Sequence, residues 1–478
     1  LAKKVDELTA QKVASNFLNT SVFKLKRGTQ SSISLELHSV RTFNNALKRG
    51  ESLPLIYIYN FSNSDGYVLV AGDDNVTPIL GYSTEQDFDY TKMPENVAAW
   101  MKHYEKEIET AIQYNILSPV NSDKWNEILN DSYTKTRGVT TAVKPLLTTT
   151  WDQGLYYYDK CPYDAASGKY AYTGCVATAM AQVMKYWNYP ITGKGSKTYT
   201  NSSSATFKFG TLSANFGTTT YDWANMPNKL TEKNDAVATL MSHVGISIEM
   251  NYGLTGSGAW ITYDSYYAPY ANGHLALIDY WKYDATTIKS IYKKNYTDVT
   301  WTSAIKSEID KSRPVILEGT ASDGSGGHCY VADGYDANNY LHINWGWSGA
   351  YNGYFTVSNL VPSGTSTGGG AGVYTYNQGA VIGIRPITTS LPVVDFSTST
   401  SATNIGTTVV LSDKSINVPQ SFAWTISPST YSFVNGTSET SKNPEIVFNA
   451  TGEYTVSLTV TSSLGCLLYT SPSPRDQR

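Results

Sequence analysis

The sequence predicts an α+β chain made of three unlike blocks, and three observations carry that reading. Residues 1–135 hold the densest charge and two amphipathic helices around short strands. Residues 145–387 are rich in Trp, Tyr and Gly and set a few strong helices ahead of long β alternations. Residues 391–465 carry short strands separated by turn residues, with almost no helix former between them, as a β-sandwich requires. At 478 residues the chain is long enough for several cores, given about 100–200 residues per domain.

Composition narrows the function classes. Lys+Arg 36 against Asp+Glu 40 gives a net charge of -4, and only 16% of residues are charged, so no basic field exists to attract nucleic acid or an anionic membrane surface. No run approaches the roughly 18 apolar residues of a transmembrane helix. The abundance of Tyr, Gly, Thr, Ser and Asn beside few charges is the composition of many exported bacterial proteins. The chain opens on Leu1 rather than Met, which leaves room for a removed signal peptide. Four cysteines, at 161, 175, 329 and 466, form no C-x-x-C pair and no disulfide framework. The stretch Cys466-Leu-Leu-Tyr-Thr-Ser-Pro-Ser-Pro-Arg-Asp476 reads like one frame of a transposase adapter used to prepare sequencing libraries. Residues 466–478 are therefore expected to be adapter read-through with a native C-terminus missing, against the simpler reading of a Ser/Pro tail.

In the first block Val5, Leu8, Val13, Phe17 and Leu18 repeat at helical spacing, and so do Val97, Trp100, Met101, Tyr104 and Ile108. Leu55–Asn60 and Tyr67–Ala71 read as strands joined by the turn at 62–66. The polar, aperiodic stretch Asn130–Val143, with Lys135 and Arg137, reads as an exposed connector open to proteolysis. In the third block, strands are expected at 407–412, 422–426, 445–448 and 454–460.

The chemistry gathers in the middle block. Apolar residues 176, 179, 180, 183, 184 and 187 form one helical stripe, with Thr173 as N-cap and Asn188-Tyr-Pro190 as the stop. Cys175 then falls in the first turn, where unpaired amides and the macrodipole favour an anion and lower a thiol pKa. The competing reading is a small buried residue at a packing contact. A nucleophilic thiol needs a base, and two alternating segments, about 328–333 and 340–345, read as a hairpin carrying one. If Asp333 pairs with Tyr340, His328 lies opposite Trp345 with Asn344 beside it, where an amide oxygen can orient the imidazole; a slip of one residue leaves Asn344 versus Trp345 open. His342, on the same strand face as Asn344, suits a structural hydrogen bond, and His38, His103, His243 and His274 read as surface or packing residues. Cys161, Cys175, His328 and Cys329 also make a Cys3His set for zinc, but adjacent His328 and Cys329 should point to opposite sides of a strand, so no metal is expected.

These residues together resemble the streptopain family of bacterial papain-like cysteine peptidases. Trp151-Asp-Gln-Gly154, Cys161-Pro-Tyr-Asp164, Thr173–Pro190, Val244–Gly253, Gly326-Gly-His328, His342-Ile-Asn-Trp-Gly-Trp347, Asn352-Gly-Tyr-Phe355, Gly368–Gly372 and Tyr376-Asn-Gln378 occur in family order. Gly66–Gly72 and Ile79–Ser83 resemble the family's inhibitory propeptide, and Phe422–Ser427 with Thr451–Val460 resemble a PKD-type, immunoglobulin-like module. The resemblance implies a papain-like catalytic domain at 139–388, preceded by a small α+β propeptide domain at 1–138 and followed by a β-sandwich at 391–465. It implies Cys175 as nucleophile, His328 as general base and then acid, and Gln153 with the Cys175 backbone N–H as oxyanion hole. Trp345 matches a Trp beside the histidine, with Asn344 just before it. Ser257 and Gly258 match the substrate-cleft wall, Gly327 can receive the peptide backbone, and 368–372 resembles a mobile loop at the cleft. Cys329 stands where a small apolar residue is expected.

The expected function is a secreted cysteine endopeptidase, made as a zymogen that cuts itself near 135–140 and prefers an apolar residue two positions before the scissile bond. Its expected partners are protein substrates and its own propeptide. No cofactor is implied, and a monomer is expected. The rivals are a catalytically inactive adhesin binding through the β-sandwich and a transglutaminase-like acyltransferase, which would normally pair its His with an Asp.

Overall fold

The structure is a computed structural model that describes residues 4–18, 34–45, 51–62, 66–130, 142–201, 209–265, 270–320, 327–357, 378–387, 393–415, 421–462 and 465–471. The expected connector at 131–141, most of the turn at 62–66, the glycine-rich 368–372 segment, Tyr376-Asn377 and the end of the tail lie outside the described residues.

The N-terminal block begins with helix α1 (Glu7–Leu18), followed by strands β1 (Leu35–Asn45), β2 (Glu51–Phe61), β3 (Tyr67–Ala71) and β4 (Ile79–Ser83) and by helices α2 (Glu95–Gln113) and α3 (Pro119–Leu129). Both helices expected here form; α1 buries Val13, Phe17 and Leu18 but leaves Leu8 79% exposed and starts after Val5, and α2 buries Val97, Trp100, Met101, Tyr104 and Ile108. Ser118 caps α3 by accepting from Asn121 N.

The middle block holds β5 (Tyr163–Asp164), β6 (Lys169–Tyr170), α4 (Cys175–Trp187), the hairpin β7 (Ser196–Asn201) and β8 (Gly210–Asn215), and helices α5 (Asp235–Ser247) and α6 (Gly273–Asp279). After them come β9 (Lys289–Tyr292), α7 (Asp298–Ile309), β10 (Val315–Thr320), β11 (Gly327–Tyr335), β12 (Leu341–Asn344), β13 (Gly353–Phe355) and β14 (Gly379–Ile382). Helix α4 packs against α5 and β11. It ends at Asn188, whose left-handed conformation lets the chain turn back onto the Lys185 and Met184 carbonyls.

One sheet joins the two blocks. Its order is β1-β2-β3-β4-β13-β12-β11-β10-β14-β9, and the seam is antiparallel, pairing Tyr354 with Tyr82 and Phe355 with Gly81. A single hydrophobic core runs through that seam, from Phe17, Trp100 and Tyr104 to Tyr330, Trp345 and Phe355. A second core lies around α4 and α5.

The hairpin register differs from the expected one. Val331 pairs with Asn344 and Ala332 with Ile343, then the ladder shifts, and Gly334 pairs with His342. His328 therefore lies beyond the end of β12 rather than opposite Trp345. The offset is set at the turn, where pairing runs on to Tyr335 and Leu341 and Asp336 N donates to Tyr340 O at 3.0 Å; a bulge at Asp333, whose carboxylate accepts from Leu147 N at 2.9 Å and bonds His342 Nδ1 at 2.6 Å, takes back one residue of it. Gly334 is needed beside it because a Cβ there would meet Val143 O and Pro145 N at 2.9 Å.

The third block is a sandwich of a four-stranded and a three-stranded sheet. Its strands are β15 (Phe396–Thr398), β16 (Thr408–Asp413), β17 (Ser421–Ser427), β18 (Tyr431–Phe433), β19 (Glu445–Phe448), β20 (Thr455–Ser462) and β21 (Gly465–Ser471). They close over a small core of Leu411, Trp424, Ile446, Leu458 and Val460. The described part of the tail, 465–471, pairs along β20 as a further strand. Among the described residues no helix is long and apolar enough to cross a membrane.

Candidate active site

Cys175 is the first residue of α4, as its spacing predicts, but the residue at the N-cap is Gly174 and not Thr173. Gly174 takes φ 87°, and a Cβ there would lie 2.7 Å from the Met250 side chain and 2.9 Å from Ser257 O. Thr173 is drawn inward instead: its N–H donates to Gln153 O at 3.1 Å and its hydroxyl bonds that of Thr178 at 2.9 Å.

A cleft of about 580 Å³ opens on the half-buried Cys175. Its lining includes Cys175, Gly258, Glu318, Gly327, His328 and Cys329. His328 and Cys329 both belong to the lining of this cleft, and Cys329 is buried in the core around α4; β11 begins at the rim, with His328 opposite Gly319 and Cys329 opposite Glu318 on β10. Gly258 and Gly327 line the cleft, and a Cβ on Gly258 would enter open space. Ser257 is used differently. Its hydroxyl donates to Tyr172 O at 2.7 Å and accepts from Gly253 N at 3.1 Å, bracing the turn that leads into Cys175.

The electrostatics reverse the sequence expectation for the thiol. Burial pushes the Cys175 thiol up and the nearby Glu318 carboxylate adds to the rise, while backbone N–H groups of Cys329, Val176 and Cys175 pull the other way. The helix start does favour the anion, but desolvation outweighs it. Burial also pushes the His328 imidazole down to about 4. Both shifts favour the uncharged forms, a thiol and a neutral ring, at neutral pH.

Gln153 is buried, in a loop fixed from both ends. Asp152 Oδ1 accepts from Gln153 N at 2.6 Å and Gly154 N at 2.9 Å, and Asp152 Oδ2 accepts from the Ser348 hydroxyl at 2.7 Å. Asn344 does not turn to His328. Its amide donates to Thr149 O at 2.8 Å and clasps the Gln182 amide, which in turn accepts from Trp151 N at 3.1 Å. Trp345 also faces away: its ring contacts run to Trp100, Tyr330 and Phe355, with centroids 5.6, 4.9 and 5.4 Å away. Both departures follow from where the hairpin turns, which sets β12 along β11 so that Asn344 pairs with Val331.

The N-terminal block reaches the segment just after β12. Asn96 Nδ2 donates to Trp345 O at 3.0 Å, Trp347 Nε1 donates to Asn96 Oδ1 at 2.8 Å, and Gln86 donates to Gly349 O. Asn96 has no sequence signal, because a single Asn at a helix start looks like any cap. Trp260 and Tyr270, 58% and 66% exposed, also line the cleft. An aromatic inside the polar Gly256-Ser-Gly-Ala-Trp260 run is a usable signal for such a wall. Among the described residues no group of three or more His, Cys, Asp or Glu side chains is placed to hold a metal ion.

Comparison with known proteins agrees with this geometry. Residues 151–355 match the peptidase C10 family, and residues 2–108 match the Spi protease inhibitor family. Streptopain of Streptococcus pyogenes is 33% identical over 404 residues, covering 80% of this chain and 92% of that protein. The thiol protease/hemagglutinin PrtT of Porphyromonas gingivalis is 31% identical over 406 residues, which is 82% of this chain and 43% of PrtT. Among solved structures, a fragment of Prevotella intermedia prointerpain A superposes with a TM-score of 0.55 at 29% identity, covering 73% of this chain and all of the fragment. With a cysteine heading a buried helix, a histidine strand on the same cleft and an inhibitor domain sharing its core, the chain belongs to the peptidase C10 family of cysteine peptidases in zymogen form.

Proposed function

We propose that this chain is a secreted, self-processing endopeptidase in which Cys175 and His328 carry out acyl transfer. The observation that supports this most directly is the cleft shared by Cys175 at a helix start and His328 at a strand start. In the active state the Cys175 thiolate attacks the peptide carbonyl, His328 protonates the leaving amine, and a water deprotonated by His328 releases the acyl-enzyme. The Gln153 side-chain amide and the Cys175 N–H stabilise the oxyanion. Asn344 acts as a positioning residue: through Gln182 and Thr149 it holds the 149–151 segment that presents Gln153. Gly258 and Gly327 border the bound peptide.

Residues 1–138 serve as intramolecular inhibitor, with the catalytic unit at 139–388. The grip of Asn96 on the 345–347 segment and the uncharged thiol–imidazole pair support latency. The sandwich at 391–465 is read as a PKD-like module serving mainly as a spacer. An adhesin with a dead catalytic domain would have no use for an intact Cys175, His328 and Gln153 set.

The test compares the full chain with its Cys175→Ser variant. The parent is expected to shed about the first 140 residues, hydrolyse casein and be labelled at Cys175 by an epoxide thiol inhibitor, and the variant to do none of these. Equal shedding by both would exclude self-cleavage; an unlabelled, inactive parent would exclude the peptidase reading.

A further inference from the structure

The cleft beside Cys175 contains a carboxyl group that the acyl-transfer chemistry does not use. Glu318 sits on β10, opposite Cys329 on one side and Gly379 of β14 on the other. It accepts hydrogen bonds from the Thr262 hydroxyl and from the backbone N–H groups of Ile261 and Thr262, so it is held rather than free to swing. Gly379 gives it room: a Cβ there would lie 2.7 Å from Glu318 Oε1. The cleft's other carboxylate, Glu249, already has a partner in Lys197 at 2.5 Å. Glu318 has none: among the described residues no lysine or arginine pairs with it, and none lines the cleft.

A carboxylate taken out of water without a counter-charge is costly, and burial accordingly raises the Glu318 pKa. A cation arriving with the substrate removes that cost. The exposed rings of Trp260 and Tyr270 line the same cleft and offer faces on which a guanidinium or ammonium can rest. We propose that Glu318 is a specificity-determining residue that receives a Lys or Arg side chain of the peptide substrate in the cleft beside Cys175. This rests on the peptidase reading of Cys175.

The test uses the full chain after it has processed itself, with active sites counted by epoxide titration. Fluorogenic peptides carry Arg, norleucine or Leu at one position at a time among the residues flanking the scissile bond. The expected result is, at one of these positions, a kcat/KM at least about tenfold higher for Arg than for norleucine, with that ratio falling toward one in Glu318→Gln. The Gln side chain keeps an acceptor for Thr262, and the ratio stays readable even if fewer molecules fold, because both peptides then lose in proportion. Turnover with no Arg preference, or a ratio unchanged in Glu318→Gln, overturns this inference alone. Absence of both turnover and epoxide labelling overturns the peptidase reading and this inference with it.

Discussion

The catalytic block has a neighbour on each side, and the two seams are built differently. Against the inhibitor domain the seam is a continuous sheet and a shared core: β4 pairs with β13, Trp100 packs on Tyr330 and Trp345, and Tyr104 donates to Leu80 O and Thr356 O at 3.0 and 2.7 Å. The sandwich keeps its own core, and a half-buried lysine is among its contacts with the block. Lys442 Nζ donates to Tyr186 O at 2.7 Å and lies 4.1 Å from the Tyr186 ring centroid, at the C-terminal end of α4, where a cation is favoured. The difference teaches that latency is written into folding itself. The inhibitor domain is part of the catalytic block's hydrophobic interior, whereas the sandwich is fastened on.

Four experiments would break or sharpen this contrast. Trp100→Ala should have the largest effect, since a buried Trp lost from the shared core costs about 3–5 kcal/mol. The full chain should melt lower and cleave casein without a lag, and an unchanged melting temperature and lag would refute a shared core. Asn96→Ala should follow, at about 1–3 kcal/mol, because it strips hydrogen bonds from Trp345 O and Trp347 Nε1. Faster amide exchange at 345–349 is the readout.

Acidification comes third. His328 is lowered from 6.5 to about 4 in the folded chain, so between those values the unfolded chain binds more protons and stability falls as pH drops. Burial lowers His243 and His274 in the same direction. The melting temperature of the Cys175→Ser zymogen should therefore decline below about pH 6.5, and less steeply in His328→Asn. Lys442→Met should affect latency least. It loses a charged hydrogen bond worth about 1.5–3 kcal/mol to the sandwich seam, visible as faster proteolysis near 388–392, while the lag before casein cleavage stays the same.

Local patterning made much of this legible. The Cys175–Trp187 helix can be read from its apolar stripe, and the β-sandwich strands from short alternations, because in both cases a single face is buried. Cys175 and His328, singled out because a thiol nucleophile needs a base, line one cleft. What the sequence hides is set by distant contacts. Counting back along the hairpin fails because the turn falls beyond Tyr335, where Asp336 accepts from Asn338 N and Tyr340 N, and alternation fixes neither the turn's place nor the bulge at Asp333 where the 143–147 segment docks. The raised thiol pKa is hidden for the same reason, since a helix start predicts the anion while burial depends on which residues close over it. Strand β1 is hidden as well, because its residues from Leu35 to Phe43 are exposed or half-buried and carry no clean inward face.

The seam between β4 and β13 also bears on what happens after maturation. A strand that loses its neighbour exposes unpaired backbone groups to any other chain that can add to it. Here the exposed edge would be Gly353–Phe355, three residues long, with Tyr354 and Phe355 leaving ladder partners behind and Thr356 N leaving Leu80 O. Such an edge is too short to template the growth of a sheet. A released enzyme can part from its inhibitor without becoming a seed for aggregation.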